Sequence, residues 1–403
     1  MPEPPGTGED RLYADVDPYG YELLLTEPER AVLRRLRGVL DHDVAPYVDE
    51  WWERAECPPA LRDALAAARL LDPVDGREAS ALLAGFRTFE LARTDVSTAV
   101  LFGGHGWLFR GAVRHGGSPE QVARWDPVVR DWTTWGAFAL TEPDHGSDVA
   151  RGLETTAVRD GDTWVLAGAK RWIGGAGLAD LLAVFARDVT DRPDGPVLAF
   201  LVDRRAPGVT VEAIARKTAV RIVESGHVTL DRVRVPEPMR LQRVASFRDV
   251  NRLLRPMRTD VAWLAAGAQA GAYRAALAYA RRREQFGRPI ASFQLVQAKL
   301  ATMLGNLTAS LGMAVRLSQL ADDASSGAGF TDADAALAMG WVARRTRETV
   351  ALAREVCGGN GITLDAGVAR FFADAEAIYT FEGTDEITAL VVGRAVTGIS
   401  AFV

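Results

Sequence analysis

The feature that most constrains the fold of this chain is a change of hydrophobic periodicity along its length. Between residues 27 and 130 apolar residues recur three and four positions apart, as at Val32, Leu33 and Leu36, which is the spacing of one helix face. Pro58-Pro59 and the run from Gly116 to Pro119 interrupt the pattern as helix boundaries. The first third is therefore predicted to be helical.

The hydrophobic periodicity changes in the middle of the chain and changes again in its last part. Short runs rich in β-forming residues occupy positions 163–166, 181–185, 197–202 and 228–230, with a hairpin turn at 159–162. Helical patterns return at about residue 247 and break at 287–289, 325–329 and 357–361. We predict an N-terminal all-α domain (1–134, with 1–10 disordered), a middle antiparallel β-barrel domain (135–240) and a C-terminal helical bundle (241–403).

Composition excludes several classes of function. The 403 residues contain 47 Lys and Arg against 53 Asp and Glu, a formal charge of -6, which does not suit a nucleic-acid partner. Two cysteines and five histidines without paired spacing predict neither a disulfide framework nor a metal site. The chain has no apolar run of membrane-spanning length and no signal peptide, so we expect a cytoplasmic protein without a membrane span.

Five short segments carry the strongest functional signal. They are Leu140-Thr-Glu-Pro-Asp-His-Gly-Ser-Asp148, Lys170-Arg-Trp-Ile173, Arg283-Glu-Gln-Phe-Gly-Arg-Pro289, Gly358-Gly-Asn-Gly361 and Phe381-Glu-Gly-Thr384. Each is weak alone, but in this order on a helix-sheet-helix chain they resemble the acyl-CoA dehydrogenases. The overall resemblance is greatest to the glutaryl-CoA dehydrogenase branch, especially from Glu382 to Phe402.

The resemblance implies an architecture, a cofactor and partners. Members of the family have an N-terminal helical domain, a middle β-barrel and a C-terminal four-helix bundle, with FAD between barrel and bundle and partly across a subunit interface. The implied assembly is a homotetramer. The implied substrate is an acyl thioester of CoA or of an acyl carrier protein, and the implied electron acceptor is electron-transfer flavoprotein or another acceptor.

Glu382 matches the carboxylate that removes the substrate α-proton in this family. A solvated carboxylate with a pKa of about 4.3 is too weak a base for a thioester α-proton, so the glutamate must be desolvated. The alternative is an ordinary acidic residue at a helix start. Arg258 matches an arginine that positions the catalytic loop, and Met257 leaves no rival base at the position used by some relatives. Asp260 is expected to face elsewhere.

The resemblance assigns cofactor contacts in three groups. Phe138, Leu140, Thr141 and Trp172 match the segments beside the flavin ring. Arg283 and Gln294, which flank the cofactor-contact candidate Phe286, match positions that reach the FAD of a neighbouring subunit, and Gly358 and Gly359 match a close approach to the adenine end of FAD. After the base, Thr384 is expected to cap the next helix and to contact the cofactor, and Glu386 matches a further cofactor contact. The alternatives are a polar turn, a core aromatic, a solvated helix face and a helix C-terminus.

The resemblance also assigns candidate substrate contacts, and the sequence departs from the family pattern at two positions. The candidate substrate-binding residues are Ser147, Ala99, Gly103, His105, Phe381 and Gly383, although a backbone-bonded structural role suits His105 better. Ala99 stands where relatives acting on glutaryl-CoA carry an arginine for the distal carboxylate, so a dicarboxylate substrate is not expected. Gly174 stands where most relatives have a Thr or Ser that bonds flavin N5, and we hypothesise slower hydride transfer or greater oxygen reactivity.

Three functions remain open from the sequence. The leading prediction is FAD-dependent α,β-dehydrogenation of an acyl thioester by an oxidoreductase. A flavin monooxygenase of the same fold, acting on a nitrogenous substrate, lacks the catalytic glutamate, so Glu382 argues against it and Gly174 weakly for it. The third is a non-catalytic relative that keeps only the fold and binds no FAD.

Overall fold

The computed structural model of the protein describes residues 11–323 and 329–401. The predicted leader at 1–10 and most of the predicted break at 325–329 lie outside the described residues. The described chain forms two compact units. The helical unit comprises residues 11–50, Asp72–Val96 and 258–401, and the sheet unit comprises Trp51–Leu71 and Ser97–Met257.

Helices fill the first third and the last part of the chain, as the periodicity predicts. The α-helices are α1 (Glu27–Val39), α2 (Val48–Arg54), α3 (Pro59–Ala67), α4 (Ala81–Thr94), α5 (Val96–Phe102), α6 (Arg110–Gly116), α7 (Pro119–Arg130), α8 (Val149–Gly152), α9 (Phe247–Arg282), α10 (Gln294–Asp322), α11 (Asp332–Val356), α12 (Ala369–Ile378) and α13 (Asp385–Thr397). The predicted boundaries at Pro59 and Gly116 coincide with helix ends. None of the helices in the described part of the chain is long and apolar enough to cross a membrane.

The core of the helical unit is formed by α4, α9, α10 and α11. Trp263 on α9 is buried, contacts the ring of Phe86 on α4 at a centroid distance of 4.8 Å and a tilt of 50°, and donates from Nε1 to Ser318 Oγ on α10 at 3.0 Å. Gln269 on α9 donates to Ser310 Oγ and to Thr346 Oγ1, both at 3.0 Å. These buried polar groups are satisfied across three helices, which fixes how the helices pack.

The sheet unit contains one seven-stranded sheet. Its strands are β1 (Gly136–Ala139), β2 (Thr156–Asp160), β3 (Thr163–Ile173), β4 (Leu181–Asp188), β5 (Val197–Asp203), β6 (Val209–Ala213) and β7 (Gly226–Pro236). The strand order is β1-β4-β2-β3-β7-β6, and β5 pairs with β4. A separate hairpin, β8 (Glu284–Gln285) with β9 (Arg288–Pro289), belongs to the helical unit.

The predicted β domain is confirmed as a half-barrel, with one difference in strand pairing. Four pairings are antiparallel, including the predicted β2–β3 hairpin, but β1 and β2 both run parallel to β4. Parallel neighbours need a long connection. Here β3 lies between β2 and β4 in the chain, and α8 with the β2–β3 hairpin lies between β1 and β4, which the local strand patterns did not show.

The central strands are buried on both faces. Leu182 and Val184 of β4 belong to the apolar cluster on one face, whereas Leu181, Ala183 and Phe185 belong to the cluster that includes residues of α6 and α7. Burial on both faces explains why β4 and β5 read as continuous apolar runs rather than as alternating patterns.

The close approach of α4 to α9 generates a stability prediction. A Cβ added at Gly85 would lie 2.1 Å from the Trp263 ring, whereas a Cβ at Gly38 on α1 would meet nothing within 4 Å. We expect Gly85→Ala to lower the free energy of unfolding by about 1–3 kcal/mol because Trp263 is held on two sides. Gly38→Ala, the matched control, should raise it by up to about 1 kcal/mol through helix propensity. Thermal unfolding of both variants distinguishes these outcomes. Equal unfolding midpoints would show that the Trp263 side chain moves to accommodate the added methyl group.

Candidate active site

Glu382 lies in the short loop between α12 and α13. Its backbone φ is 59°, in the left-handed region, and that of Gly383 is 116°. The amides of Thr380 and Phe381 donate to the carbonyl of Ala377 at 2.9 and 3.0 Å, which closes the end of α12. The loop therefore turns sharply, and a non-glycine residue stands where the left-handed conformation costs about 1–2 kcal/mol.

The loop leads directly into α13. Thr384 is the N-cap of this helix, and its Oγ1 accepts a hydrogen bond from the Ile387 amide at 3.4 Å. Glu386 lies exposed in the first turn, where hydrogen bonds from its own amide and from Thr384 lower its pKa. Thr384 thus has the predicted helix-capping role, and α13 begins three residues after Glu382 with its N-terminal dipole end.

Two opposing effects act on the carboxyl group of Glu382. Burial raises its pKa above the ordinary value, and the positive charge of Arg258 on α9 acts against that rise. The Arg258 guanidinium also lies 3.6 Å from a carboxylate oxygen of Asp332. The structure therefore brings together the two residues that the sequence named as catalytic.

Asp260 is a third ionisable group in this region, although its side chain bonds to α4. It accepts a hydrogen bond of 2.5 Å from Thr88 Oγ1 on that helix. Burial, together with the charge of Glu382, raises the pKa of Asp260 to about 7 against the effect of the Thr88 hydrogen bond. Helical spacing separates Asp260 from Arg258, but Coulomb interactions in a partly buried region act without contact.

Arginines of α11 hold both sides of the Glu382 loop. Arg347 pairs with Glu376 at 2.9 Å on α12 and lies over the ring of Tyr379 at 4.4 Å. Arg344 pairs with Asp385 at the start of α13. The loop is therefore attached to α11 before and after the glutamate.

Arg283 and Phe286 lie on the β8–β9 hairpin. Phe286 and Gly287 form its two-residue turn, with φ values of 53° and 75°, which is the pattern of a type I′ turn. The Phe286 side chain is 94% exposed and contacts Phe293 edge to face at 6.0 Å. Gln294 is exposed at the start of α10. Among the described residues, the Arg283 guanidinium has no partner.

Gly358 and Gly359 begin a 3₁₀ turn, Gly358–Ile362, that follows α11. Gly358 has a φ of 57°, and Asn360 donates from Nδ2 to the Tyr279 hydroxyl at 2.9 Å. The Tyr279 carbonyl in turn accepts from the amide of Arg283 at 2.8 Å. This contact brings the glycine turn close to the arginine that the resemblance assigns to the same FAD.

In the sheet unit, the segment after β1 carries Leu140 and Thr141. The Phe138 ring contacts Phe185 at 4.7 Å, and Leu140 is buried. The carbonyl of Thr141 accepts from the Arg171 amide at 2.8 Å, so this segment lies along β3. The Thr141 side chain is partly exposed and makes no hydrogen bond among the described residues.

Trp172 lies at an irregularity near the end of β3. Its φ is 64°, its side chain is 55% exposed, and the Arg171 guanidinium lies 5.1 Å from its ring centre. It is therefore not the core aromatic that the alternative interpretation required. A Cβ at Gly174 would meet only Val223 Cγ1, at 3.4 Å. Ser147 is exposed in the loop before α8.

The candidate acyl-pocket residues lie on α5 and on the π-helical segment Gly103–Phe109 that follows it. Ala99 and Gly103 are buried. His105 donates from Nε2 to the Val129 carbonyl at 2.9 Å and accepts at Nδ1 from the Gly136 amide at 3.1 Å. These bonds use both ring nitrogens, and burial lowers the pKa of His105 to about 4. The structure thus favours a structural role for His105 over a contact with substrate.

Sequence reasoning did not single out two other buried groups. One is Asp260, for which neither spacing nor residue type gave a signal. The other is the pair of Lys170 and Glu142, 2.8 Å apart and buried in the sheet unit. A signal existed for Lys170, because it continues the inward phase of Trp164 and Leu166 on β3. In the described part of the chain, no group of three or more His, Cys, Asp or Glu residues could hold a metal ion.

Comparison with known protein families matches nearly the whole chain. Residues 26–130 match the acyl-CoA dehydrogenase N-terminal domain, residues 137–233 the acyl-CoA dehydrogenase middle domain, and residues 247–397 the acyl-CoA dehydrogenase C-terminal domain.

Individual relatives agree with the family match. Cyclohex-1-ene-1-carbonyl-CoA dehydrogenase of Geobacter metallireducens is 31% identical over 381 residues, covering 92% of this chain and 98% of that protein. A crystal structure of glutaryl-CoA dehydrogenase from Mycobacterium smegmatis is 34% identical, with a TM-score of 0.87, covering 95% of this chain and 97% of that one. Another from the same organism, in complex with FADH2, is 30% identical with a TM-score of 0.90, covering 97% and 100%. The chain therefore belongs to the acyl-CoA dehydrogenase family of FAD-dependent oxidoreductases.

Proposed function

We propose that this FAD-dependent acyl-CoA dehydrogenase uses Glu382 as the base that removes the α-proton of its acyl thioester. The observation that carries the proposal is the state of the Glu382 carboxyl group, whose pKa burial raises while Arg258 opposes the rise. A raised pKa makes the carboxylate a stronger base, and the arginine favours its ionised form. The catalytic carboxyl group needs both properties, because it must be a strong enough base and must be ionised before it accepts the proton.

The backbone of Glu382 has a second use. Its amide makes no hydrogen bond among the described residues, because the loop turns away from α12 after Phe381. A free N–H beside the base can donate to the thioester carbonyl and stabilise the negative charge that develops on its oxygen. Loss of the α-proton to Glu382 and of the β-hydrogen with its electron pair leaves a carbon–carbon double bond.

FAD, when bound, accepts that β-hydrogen as hydride. The donors and rings of the chain fit such a cofactor in each unit separately. In the sheet unit, the exposed indole of Trp172 and the unpaired hydroxyl of Thr141 suit the flavin ring, beside the backbone of Leu140 and the Phe138 ring. Ser147 is proposed to contact the substrate.

In the helical unit, the fitting residues suit the nucleotide part. The unpaired Arg283 guanidinium is a bidentate donor for phosphate. We propose that it binds FAD of a neighbouring subunit together with the remaining residues of the group, Phe286, Gln294, Gly358 and Gly359. Thr384 and Glu386 complete the cofactor contacts, while Phe381 and Gly383 line the substrate side of the loop.

The finer predictions from the resemblance belong to the same proposal. They are a homotetramer, a cytoplasmic location, electron-transfer flavoprotein as acceptor and an acyl-carrier-protein thioester as an alternative to acyl-CoA. The exposed hairpin bearing Phe286 supports subunit contact, because an exposed aromatic at a rigid turn suits an interface. A monooxygenase needs no α-proton base, so the electrostatics of Glu382 favour dehydrogenation.

The base assignment is tested by Glu382→Gln. The amide keeps the shape of the side chain but cannot accept the proton, so we expect anaerobic bleaching of the flavin by acyl-CoA to slow by about 10²- to 10⁴-fold. Glu212→Gln, which changes an exposed carboxylate on β6, is the matched control and should bleach at the wild-type rate. Equal rates in all three proteins would remove Glu382 from the mechanism.

The balance at Glu382 predicts a pH effect of Arg258→Met. The arginine charge lowers the pKa of Glu382, so its removal raises that pKa. Because the reaction needs the ionised carboxylate, the acidic limb of the kcat profile should move to higher pH. Arg258→Lys keeps the charge and should keep the acidic limb at the wild-type pH.

Asp260 could contribute to the same pH profile, so the profiles are repeated in an Asp260→Asn background. This separates the titration of Asp260, with its pKa of about 7, from that of Glu382. If the acidic limb of the kcat profile stays at the wild-type pH in Arg258→Met, the assignment of Glu382 as the base is contradicted.

The pocket residues predict the class of acyl group. From Val96 to Phe109 the chain has no Lys or Arg, and His105 is held neutral by burial. A distal carboxylate would therefore be desolvated without a cation from this segment. We expect monocarboxylic acyl-CoAs, presented as a chain-length series, to bleach the flavin at least tenfold faster than glutaryl-CoA. Faster bleaching by glutaryl-CoA, with release of carbon dioxide, would show that another cation binds the carboxylate.

A further inference from the structure

Lys170 is a fully buried lysine in the sheet unit. Its side chain is 0% exposed, and its ammonium donates to Glu142 Oε1 at 2.8 Å and to the carbonyl of Leu140 at 3.1 Å. Burial lowers the pKa of Lys170 to about 8, and Glu142 acts in the opposite direction. A cation in this position needs both acceptors, so its contacts determine where residues 140–142 can lie.

Glu142 extends this connection to the other side. Its Oε2 accepts from the Glu154 amide at 2.6 Å, and its Oε1 accepts from the Thr155 amide at 2.9 Å. Although burial acts in the other direction, Lys170 and these amides lower the pKa of Glu142. Three donors therefore bond to the Glu142 carboxylate: the Lys170 ammonium and the amides of Glu154 and Thr155. These bonds join the segment after β1 to the start of β2.

Lys170 also marks the start of the irregularity that turns Trp172 outward. Lys170 pairs with Val228 of β7, but the next paired residue of β3 is Ile173, opposite Gly226. Two residues of β3 therefore face one residue of β7, which is a β-bulge. Within this bulge the Arg171 amide donates to the Thr141 carbonyl at 2.8 Å, and Trp172 adopts its left-handed conformation.

Stability alone does not explain such a pair. A buried ion pair is often no more stable than apolar residues of the same volume, because desolvation of both charges offsets their attraction. The same sheet carries an exposed pair, Arg234 and Asp160, with a similar distance of 2.9 Å. What differs is that Lys170 bonds to the carbonyl of Leu140, in the segment proposed to lie beside the flavin, and that Glu142 joins this segment to the start of β2.

We propose that Lys170 and Glu142 are positioning residues for the flavin: the pair holds the Leu140–Thr141 backbone and the Trp172 bulge in one arrangement against which the flavin ring binds. This inference rests on the proposed function. The pair does not touch the reacting atoms, so it acts through the backbone and the indole that it places.

The test compares the wild-type holoenzyme with the double variant Lys170→Met/Glu142→Gln. The double variant leaves no unpaired buried charge, and the glutamine oxygen can still accept from the Thr155 amide. Arg234→Met is the matched control for loss of an ion pair in the same sheet. Three quantities are measured for each protein: thermal unfolding, the FAD dissociation constant from flavin released on dilution, and the fluorescence and visible absorbance of the bound flavin.

We expect the double variant to remain folded and its FAD dissociation constant to rise about tenfold or more, with less quenching of flavin fluorescence because Trp172 is no longer held against the ring. The control should match the wild type. A folded double variant with wild-type affinity and spectra overturns the inference, as does a control that shows the same loss.

If the double variant does not fold, Glu142→Gln alone decides the question. This variant keeps the side-chain shape, removes the negative charge that faces Lys170 and leaves one acceptor oxygen where the carboxylate has two, so a smaller rise in the dissociation constant with a changed spectrum supports the inference, and unchanged values overturn it. A wild-type protein that binds no flavin contradicts the proposed function instead, so the two failures are distinguishable.

Discussion

The desolvation of Glu382, opposed by the charge of Arg258, is the interaction on which the proposed chemistry of the helical unit depends. A fully solvated glutamate would be too weak a base, and a fully buried one without a cation would hold its proton. The packing of the helices sets this balance. Arg258 and Asp260 are fixed by α9, which approaches α4 closely at Gly85, and α11 holds the loop that carries the glutamate.

Three of the ten non-glycine residues with a positive φ in the described part of the chain are residues that the sequence assigned to the site. Glu382, Trp172 and Phe286 all have positive φ values, of 59°, 64° and 53°. Non-glycine residues rarely adopt this conformation, and such residues persist only where the surroundings hold them. Each has a different support: arginines of α11 beside Glu382, a β-bulge at Trp172 and a type I′ turn at Phe286. In each case the left-handed backbone conformation directs the side chain away from its neighbours in sequence. The three side chains carry a carboxyl group, an indole and a phenyl ring.

The general arrangement could be predicted from the sequence, because periodicity and glycine or proline breaks report local structure. Helix boundaries at Pro59 and Gly116, the β2–β3 turn and the cap at Thr384 are features of this kind. The parallel pairing of β1 and β2 with β4 was not predictable, because it depends on contacts between distant segments. Neither was the charge state of Asp260, which requires a threonine from α4 and a glutamate more than a hundred positions away. Burial of polar groups is a property of the packed fold, and residue type alone does not reveal it.

The two departures from the family pattern have different physical meanings. At Gly174 a side chain would meet only one methyl group at ordinary contact distance, so packing does not exclude the hydroxyl that most relatives carry. At Ala99 the residue is buried on α5, and His105 is already bonded through both ring nitrogens, so this histidine does not replace the missing arginine. In the proposed function, proton removal depends on Glu382 and Arg258, which both departures leave unchanged. We therefore propose that Gly174 bears on how the flavin reacts and Ala99 on which acyl group is accepted, while the proposed base chemistry stays the same.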